Sequence, residues 1–370
     1  MTLPSPVTTG PGRAAAAFAN ALAEVRERLD RELEAWLGER GARLAAASPE
    51  SAELVDEVAR LVAGGGKRLR PALLALAYRA CGGRSEAAAA RLGLATELLH
   101  TYLLIHDDVM DRAELRRGRA TTHAAFAERH RLQRVRGDAE HFGRTVAILA
   151  GDLAHTWAAE LSRPHPGAEG DPEAVARAFD AMCEEVIGGQ YLEMLLPRRE
   201  EPTEEELLRV LRLKSGRYTV ERPVELGALL AGAPAAVVDG FRSWGEAAGE
   251  AFQLHDDVLG TFGEAEAVGK PVASDLAEGK LTFLVHHALA GAAPEDREWL
   301  RGALGRGELA GADVERARRI LRESGGLAAV LDMIEERLGR AARALARLPL
   351  PAAALEPFAG FLDYLRERDR

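Results

Sequence analysis

The sequence predicts an all-α protein, and three observations carry that prediction. Ala, Leu, Glu and Arg, all good helix formers, dominate the chain. Apolar residues recur at helical spacing, as in Ala23, Leu29, Leu33, Trp36 and Leu37. Alternating strand patterns closed by Asn-Gly or Asp-Gly turns are missing.

Taken in order, residues 1–13, with their Pro, Thr and Gly, read as a disordered tail, and 14–370 as one domain. The Ala-rich stretch Ala14–Ala23 has only Arg13 before it and runs into a charged helical pattern, so no signal peptide is expected. Breaks fall at Gly64–Gly66, Gly82–Gly83, Pro164–Pro172, Pro197–Pro202, Gly232–Pro234, Gly269–Pro271, Gly291–Pro294 and Pro349–Pro351. Arg129–Glu140 is expected as a charged surface loop or a short solvated helix. With no linker and no repeat of solenoid period, a single helical bundle is the simplest architecture.

Composition narrows the function. The 370 residues are 47% hydrophobic and 29% charged, values of a foldable globular chain. No apolar run approaches the roughly 18 residues that span a bilayer, so no stable membrane insertion is expected. Cys81 and Cys183 offer neither a disulfide framework nor a CxxC pair, which fits a cytoplasmic location. A net charge of −10 without a basic arm argues against nucleic acid. Of the 48 basic residues, 44 are arginine. The only lysines are Lys67, Lys214, Lys270 and Lys280, and three of them directly follow glycine.

The segment His100–Asp111 ends an apolar run with three carboxylates, Asp107, Asp108 and Asp111. In a helix Asp107 and Asp111 share one face, about 6 Å apart. Like charges on an apolar helix need an offset, and an all-oxygen ligand set suits Mg²⁺ bound to phosphate. A second segment, Phe252–Gly260, repeats His-Asp-Asp-Val with Asp256 and Asp257 but carries Gly260 where a third aspartate would match. Two such helices facing each other would make a multi-metal cavity. The basic elements complement them: Gly64–Pro71 with Lys67, Arg68 and Arg70 opens a helix, and Arg116-Arg117-Gly118 follows the first acidic motif. Lys214-Ser215, Gly269-Lys270-Pro271 and Asp275–Thr282, which contains Lys280, come later. In an arginine-rich chain, a lysine marks a place that wants a compact ammonium.

With these residues in view, the sequence resembles the trans-isoprenyl diphosphate synthases (polyprenyl synthetases) from about residue 60 to 290. GGGKRLRP, DDVMD, RRG, Gly151-Asp152, Gly189-Gln190, KS, FQ..DD, GKP and D..EGK.T appear in the family's order. The resemblance implies an all-α bundle around a deep central cavity, a homodimer, and Mg²⁺, three per active site. It implies that Lys67, Arg70, His100 and Arg117 hold isopentenyl diphosphate. Arg116, Lys214, Ser215, Gln253, Lys270 and Lys280 would hold the allylic diphosphate. Asp107, Asp111 and Asp256 would ligate Mg²⁺, with Asp108 and Asp257 assisting. Tyr102 and Leu103, one helical turn below Asp107, would set product length, expected at C15–C20 and closest to the geranylgeranyl type.

Rival readings exist. Asp256, Gly260 and Glu264 also fall at the spacing of a class I terpene cyclase metal motif, but a cyclase has no use for a second diphosphate grip. An HD-type phosphohydrolase needs further His ligands, and His106 and His255 read instead as helix residues satisfied by hydrogen bonds. A non-catalytic subunit of a heteromeric synthase would lack motif residues that this chain keeps.

Overall fold

Glycine and proline decide where the helices stop, because one supplies backbone freedom and the other removes a donor. The computed structural model describes residues 11–163, 167–199, 202–263, 274–307 and 309–367. Helix α1 spans Pro11–Ala47, α2 Ala52–Ala63, α3 Leu69–Ala80, α4 Glu86–Met110 and α5 Thr122–Leu132. Helix α6 spans Ala139–Leu161, α7 Pro172–Leu195, α8 Glu204–Val210, α9 Arg222–Leu230 and α10 Ala235–Phe262. Shorter helices at Ser274–Glu278, Phe283–Gly291, Pro294–Ala303 and Gly311–Glu323 precede two longer ones at Gly326–Leu345 and Ala352–Glu367.

Seven of the eight expected breaks separate consecutive helices; Gly269–Pro271 lies outside the described residues. So do residues 1–10 of the expected tail, whereas residues 11–13 already belong to α1. The charged stretch 129–140 is divided between the last turn of α5, an exposed connection and the start of α6. Side chains close several helix starts: Ser85 accepts from Ala88 N, Asp138 from His141 N, and Thr203 and Glu206 form a capping box.

Two local departures from the expected all-helical chain matter. Leu115–Arg116 pairs antiparallel with Arg119–Ala120, and the two residues between, Arg117 and Gly118, have φ of 52° and 71°. Both central residues are left-handed, as a tight hairpin turn with right-twisted strands requires. Over Leu211–Glu221 the helix widens to i→i+5 hydrogen bonding. Pro223, just beyond, has no N–H to give the carbonyl of Thr219, and its ring presses on that turn. Widening the helix upstream lets the chain pass the proline without breaking.

The chain divides into two compact units, Met1–Phe18 with Asp180–Glu225 and Pro234–Arg370, and Ala19–Phe179 with Leu226–Ala233. Three of the boundaries fall inside α1, α7 and α9, so no linker marks them in the sequence. In the second unit α4 packs between α3 and α6, burying Leu73, Leu74, Tyr78, Leu98 and Leu99. In the first, α10 packs on the Gly326–Leu345 helix and on the widened segment. Trp244, Phe241, Phe358 and Phe361 interlock there edge to face or tilted, at 5.1–5.9 Å between rings. Among the described residues no helix is long and apolar enough to cross a membrane.

Candidate active site

Helix α4 delivers the first carboxylates. Its apolar face is buried through Ile105, and the helix ends at Met110, so Asp107 and Asp111 sit partly buried on the last turn. Asp108 is buried, and its Oδ1 accepts Arg116 Nε at 2.7 Å and pairs with Arg116 Nη2 at 2.6 Å. The same Nη2 lies 3.6 Å from Asp107 Oδ2. The hairpin thus hands Arg116 back onto the acidic motif. Asp108, expected to assist a metal, pairs with Arg116.

The basic residues of the same unit gather about His100. Burial, followed by the charges of Arg70, Arg116, Arg117 and Arg68, pushes the His100 imidazole well below its usual pKa. A neutral imidazole among guanidinium groups keeps one N–H to donate while the arginines supply the positive field. Partial burial and the neighbouring Arg116 lower the pKa of Arg117 as well. Within GGGKRLRP the three cations have different fates. Arg68, left-handed at φ 51°, turns inward to Glu97 at 2.5 Å, Asp30 at 2.9 Å and the Val62 carbonyl at 2.7 Å. Lys67 is exposed and Arg70 partly buried, which leaves two candidates rather than three for a phosphate.

Tyr102 stands on α4 with its ring 4.7 Å from His106 and 4.9 Å from His155 of α6. His106 Nε2 lies 3.1 Å from the Ile148 carbonyl, as expected of a satisfied helix histidine. The Gly151-Asp152 landmark has a steric cause, since a Cβ at Gly151 would stand 2.3 Å from the His106 ring. Leu103 is partly buried.

In the other unit, α10 carries the second motif. Gln253 Nε2 donates to Asp257 Oδ1 at 2.8 Å. Burial, then Asp275, then Asp256 and Glu193 push the Asp257 carboxyl well above its ordinary pKa, against the Gln253 hydrogen bond. Sequence reasoning missed Glu193 and Asp275 as members of this cluster. Asp275 also answers the question raised by Gly260: its Oδ2 lies 3.3 Å from where a Cβ on residue 260 would stand. A carboxylate from elsewhere in the chain occupies the space beside the missing third aspartate. The lysines are drawn to the same ground, Lys214 by Glu193 and Lys280 by Glu278 at 2.6 Å and Asp275 at 3.7 Å. Lys270 and Glu264 lie outside the described residues.

Backbone contact positions Lys214. A Cβ at Gly189 would stand 2.4 Å from Lys214 N, and one at Gly249 2.4 Å from the Gly216 carbonyl oxygen. Glycine therefore lets α7 and α10 press on the widened segment from two sides. Buried ion pairs hold the segment's flanks. Glu250, with its side chain 1% exposed, accepts Arg212 Nε at 2.7 Å and Arg337 Nε at 2.9 Å on separate oxygens. Glu185 takes Arg217 at 2.7 Å and Arg222 at 2.6 Å. Glu221 is buried at the end of the segment, and burial pushes its carboxyl up to about 7 despite Arg217 and Arg222.

The donor sets fit Mg²⁺. Asp107 with Asp111, and Asp256 with Asp257 and Asp275, offer carboxylate oxygens, and burial, then the neighbouring carboxylates, suppress the ionisation of Asp257, an effect a bound cation would relieve.

Residues 52–321 match the family described as Polyprenyl synthetase. A geranylfarnesyl diphosphate synthase of Aeropyrum pernix is 35% identical over 317 residues, covering 83% of this chain and 92% of that one. A geranylgeranyl diphosphate synthase of Methanosarcina mazei is 36% identical over 280 residues, covering 74% and 78%. The geranylgeranyl pyrophosphate synthase of Corynebacterium glutamicum, solved with isoprenyl diphosphate and magnesium, aligns with a TM-score of 0.88 at 31% identity, over 94% of this chain and 99% of that one. The ordered motifs, the helical fold and a match spanning well over half its length agree: the chain belongs to the polyprenyl synthetase family.

Proposed function

We propose that the protein condenses isopentenyl diphosphate with an allylic diphosphate, head to tail and trans, to give a C15–C20 product, with geranylgeranyl diphosphate the favoured assignment. The observation that carries this reading is the gathering of Arg70 and Arg117 about a neutral His100, a set of phosphate-binding groups beyond the one that Lys214 and Lys280 supply. Two sets of phosphate-binding groups suit two diphosphate substrates, where a cyclase needs one. Of the relatives reported above, the geranylgeranyl diphosphate synthase is named for a C20 product inside this range, and the geranylfarnesyl diphosphate synthase for a C25 product one isoprene unit beyond it.

In this reading Lys67, Arg70, His100 and Arg117 hold isopentenyl diphosphate. Arg116, Lys214, Ser215, Gln253, Lys270 and Lys280 hold the allylic diphosphate. Asp107, Asp111 and Asp256 ligate Mg²⁺, three ions per site, and Asp257 and Asp275 complete the second cluster. Mg²⁺, when bound, offsets the charge that gathers on the departing diphosphate. Arg116, Lys214 and Lys280 do the same from the protein side, because they bind the leaving group more tightly than the ester. The isopentenyl double bond attacks the allylic carbon, and the proton lost in the elimination goes to the released diphosphate. No protein nucleophile is needed; the protein's remaining task is to exclude water from the cation. Tyr102, braced by His106 and His155, limits chain growth.

The homodimer is supported by Phe142, Ile148 and Leu149, large apolar side chains that α6 leaves exposed, with Leu132 and Val135 nearby in sequence. The two free cysteines support a cytoplasmic location. The test is product analysis with Mg²⁺, isopentenyl diphosphate and dimethylallyl, geranyl or farnesyl diphosphate as separate starters. Geranylgeranyl diphosphate from at least one starter is expected. Phosphate release or a cyclic hydrocarbon without chain extension overturns the reading.

A further inference from the structure

Away from the aspartates, Glu204, His286 and His287 bring three ligand atoms within 4.8 Å of one another. Glu204 opens α8, and the two histidines lie in the middle of the Phe283–Gly291 helix, which packs against α8. His287 Nδ1 faces Glu204 Oε1 across 3.9 Å. That gap is too long for a hydrogen bond and within the span of two ligands that each sit about 2.0–2.2 Å from one cation. The other ring nitrogen, Nε2, is buried and finds no hydrogen-bond partner among the described residues. Burial and His287 hold His286 below the usual histidine pKa, against the pull of Glu204, so its ring is neutral and ready to ligate.

We propose that Glu204, His286 and His287 form a binding site for a borderline transition-metal cation of the Zn²⁺ class, chemically distinct from the carboxylate clusters. Two imidazoles and one carboxylate make a nitrogen-rich set that Mg²⁺ does not favour and Zn²⁺ does. Three protein ligands leave a coordination position for water. Glu204, with its side chain 64% exposed, has the freedom to swing onto the ion, while the helix fixes the two rings.

The location gives the site a consequence. Helix α8 runs on without a break into the widened segment that bears Lys214, and Thr282, which caps the histidine helix, is two residues from Lys280. One cation would join the two stretches of chain that carry these lysines. The binding site does not depend on the proposed function; only the link to the lysines rests on that reading.

The experiment titrates Zn²⁺ into the metal-free full chain under saturating Mg²⁺, which fills the carboxylate clusters, and reads binding by calorimetry. One Zn²⁺ per chain is expected, bound more weakly by Glu204→Gln, which keeps two of the three ligands, and lost in a variant with both His286→Ala and His287→Ala, which keeps one. An Asp107→Asn, Asp256→Asn variant should keep the site. Co²⁺ in place of Zn²⁺ should give visible absorption that the histidine variant lacks. Glu204 is exposed, so its variant separates ligand loss from misfolding. Wild-type protein that binds no Zn²⁺ in Mg²⁺, Glu204 and histidine variants that bind as wild type, or loss of Zn²⁺ binding in the aspartate variant each overturns the proposal. Absence of synthase activity would overturn the proposed function and leave this result standing.

Discussion

Replacing Glu250 by glutamine tests how the chain holds Lys214 in place. The carboxylate is 1% exposed and gives one oxygen to Arg212 and the other to Arg337. Glutamine keeps the shape but turns an amide N–H₂ toward one guanidinium and removes the charge that both were buried against. Breaking a buried ion pair from one side costs about 3–5 kcal/mol. Here Arg212 is 33% exposed and keeps Glu246 at 2.9 Å, and Arg337 is 13% exposed and keeps Glu336, which brings the expected loss down to about 2–3 kcal/mol. Urea unfolding followed by circular dichroism should show a lower midpoint at unchanged slope. Because Arg212 and Lys214 share one helical segment, KM for the allylic diphosphate should rise several-fold with KM for isopentenyl diphosphate unmoved. Arg212→Met should cost less in the Glu250→Gln background than alone, since the partner is already gone. Strict additivity, an unchanged midpoint and an unchanged allylic KM together would refute the idea that these ion pairs position the lysine.

Four further outcomes follow from the contacts described. Arg68→Lys should lower stability by about 2–4 kcal/mol, because one ammonium nitrogen cannot reach the three acceptors, Asp30, Glu97 and the Val62 carbonyl, that Nε, Nη1 and Nη2 meet from separate positions, while Lys67→Ala should leave the unfolding midpoint alone and raise only the isopentenyl diphosphate KM. Gly249→Ala drives a methyl to 2.4 Å from the Gly216 carbonyl oxygen and should cost about 1–3 kcal/mol, whereas Gly188→Ala, with nothing within 4 Å, should stabilise by about 0.5–1 kcal/mol in the same assay. Glu221 is protonated more readily in the folded chain than in the unfolded one, so its contribution is present below the unfolded pKa of 4.5 and is lost as pH rises through about 7. Glu221→Gln should therefore leave stability at pH 4 nearly unchanged and raise it at pH 8 by about 1–3 kcal/mol; a difference that ignores pH refutes this. Tyr102→Ala should lengthen the product, read by chromatography of the hydrolysed alcohols, and an unchanged distribution would put the length limit at another residue.

Much of this was legible in the sequence, for identifiable reasons. Helix ends follow from local chemistry, so Gly64–Gly66, Gly82–Gly83 and Gly232–Pro234 mark real breaks. Asp107 and Asp111 declare themselves by standing on an apolar helix. What escaped depends on groups distant in sequence. Nothing near residue 68 says that Arg68 turns inward to Asp30 and Glu97 while Lys67 stays out. Gly260 reads as a missing ligand until Asp275 is seen beside it. The hairpin was hidden because its turn is Arg-Gly instead of the expected Asn-Gly, and the widened helix because the close approach of Gly216 to Gly249 is a tertiary event. Pro223 was the one local hint of it.

The four non-glycine residues described with positive φ, Arg68, Arg112, Arg117 and Arg134, are all arginines. Asparagine tolerates that conformation better, and the chain contains one, Asn20, inside a helix. Each left-handed arginine carries strain of about 1 kcal/mol. At Arg68 and Arg117 the strain accompanies contacts to Glu97, Asp30 and the cation cluster, and it persists because those contacts determine the backbone. Arg112 and Arg134 are exposed, and there the same strain is idle. For an engineer these two turns are a thermostability reserve: asparagine at both would raise the working temperature of the catalyst without touching a substrate-binding group.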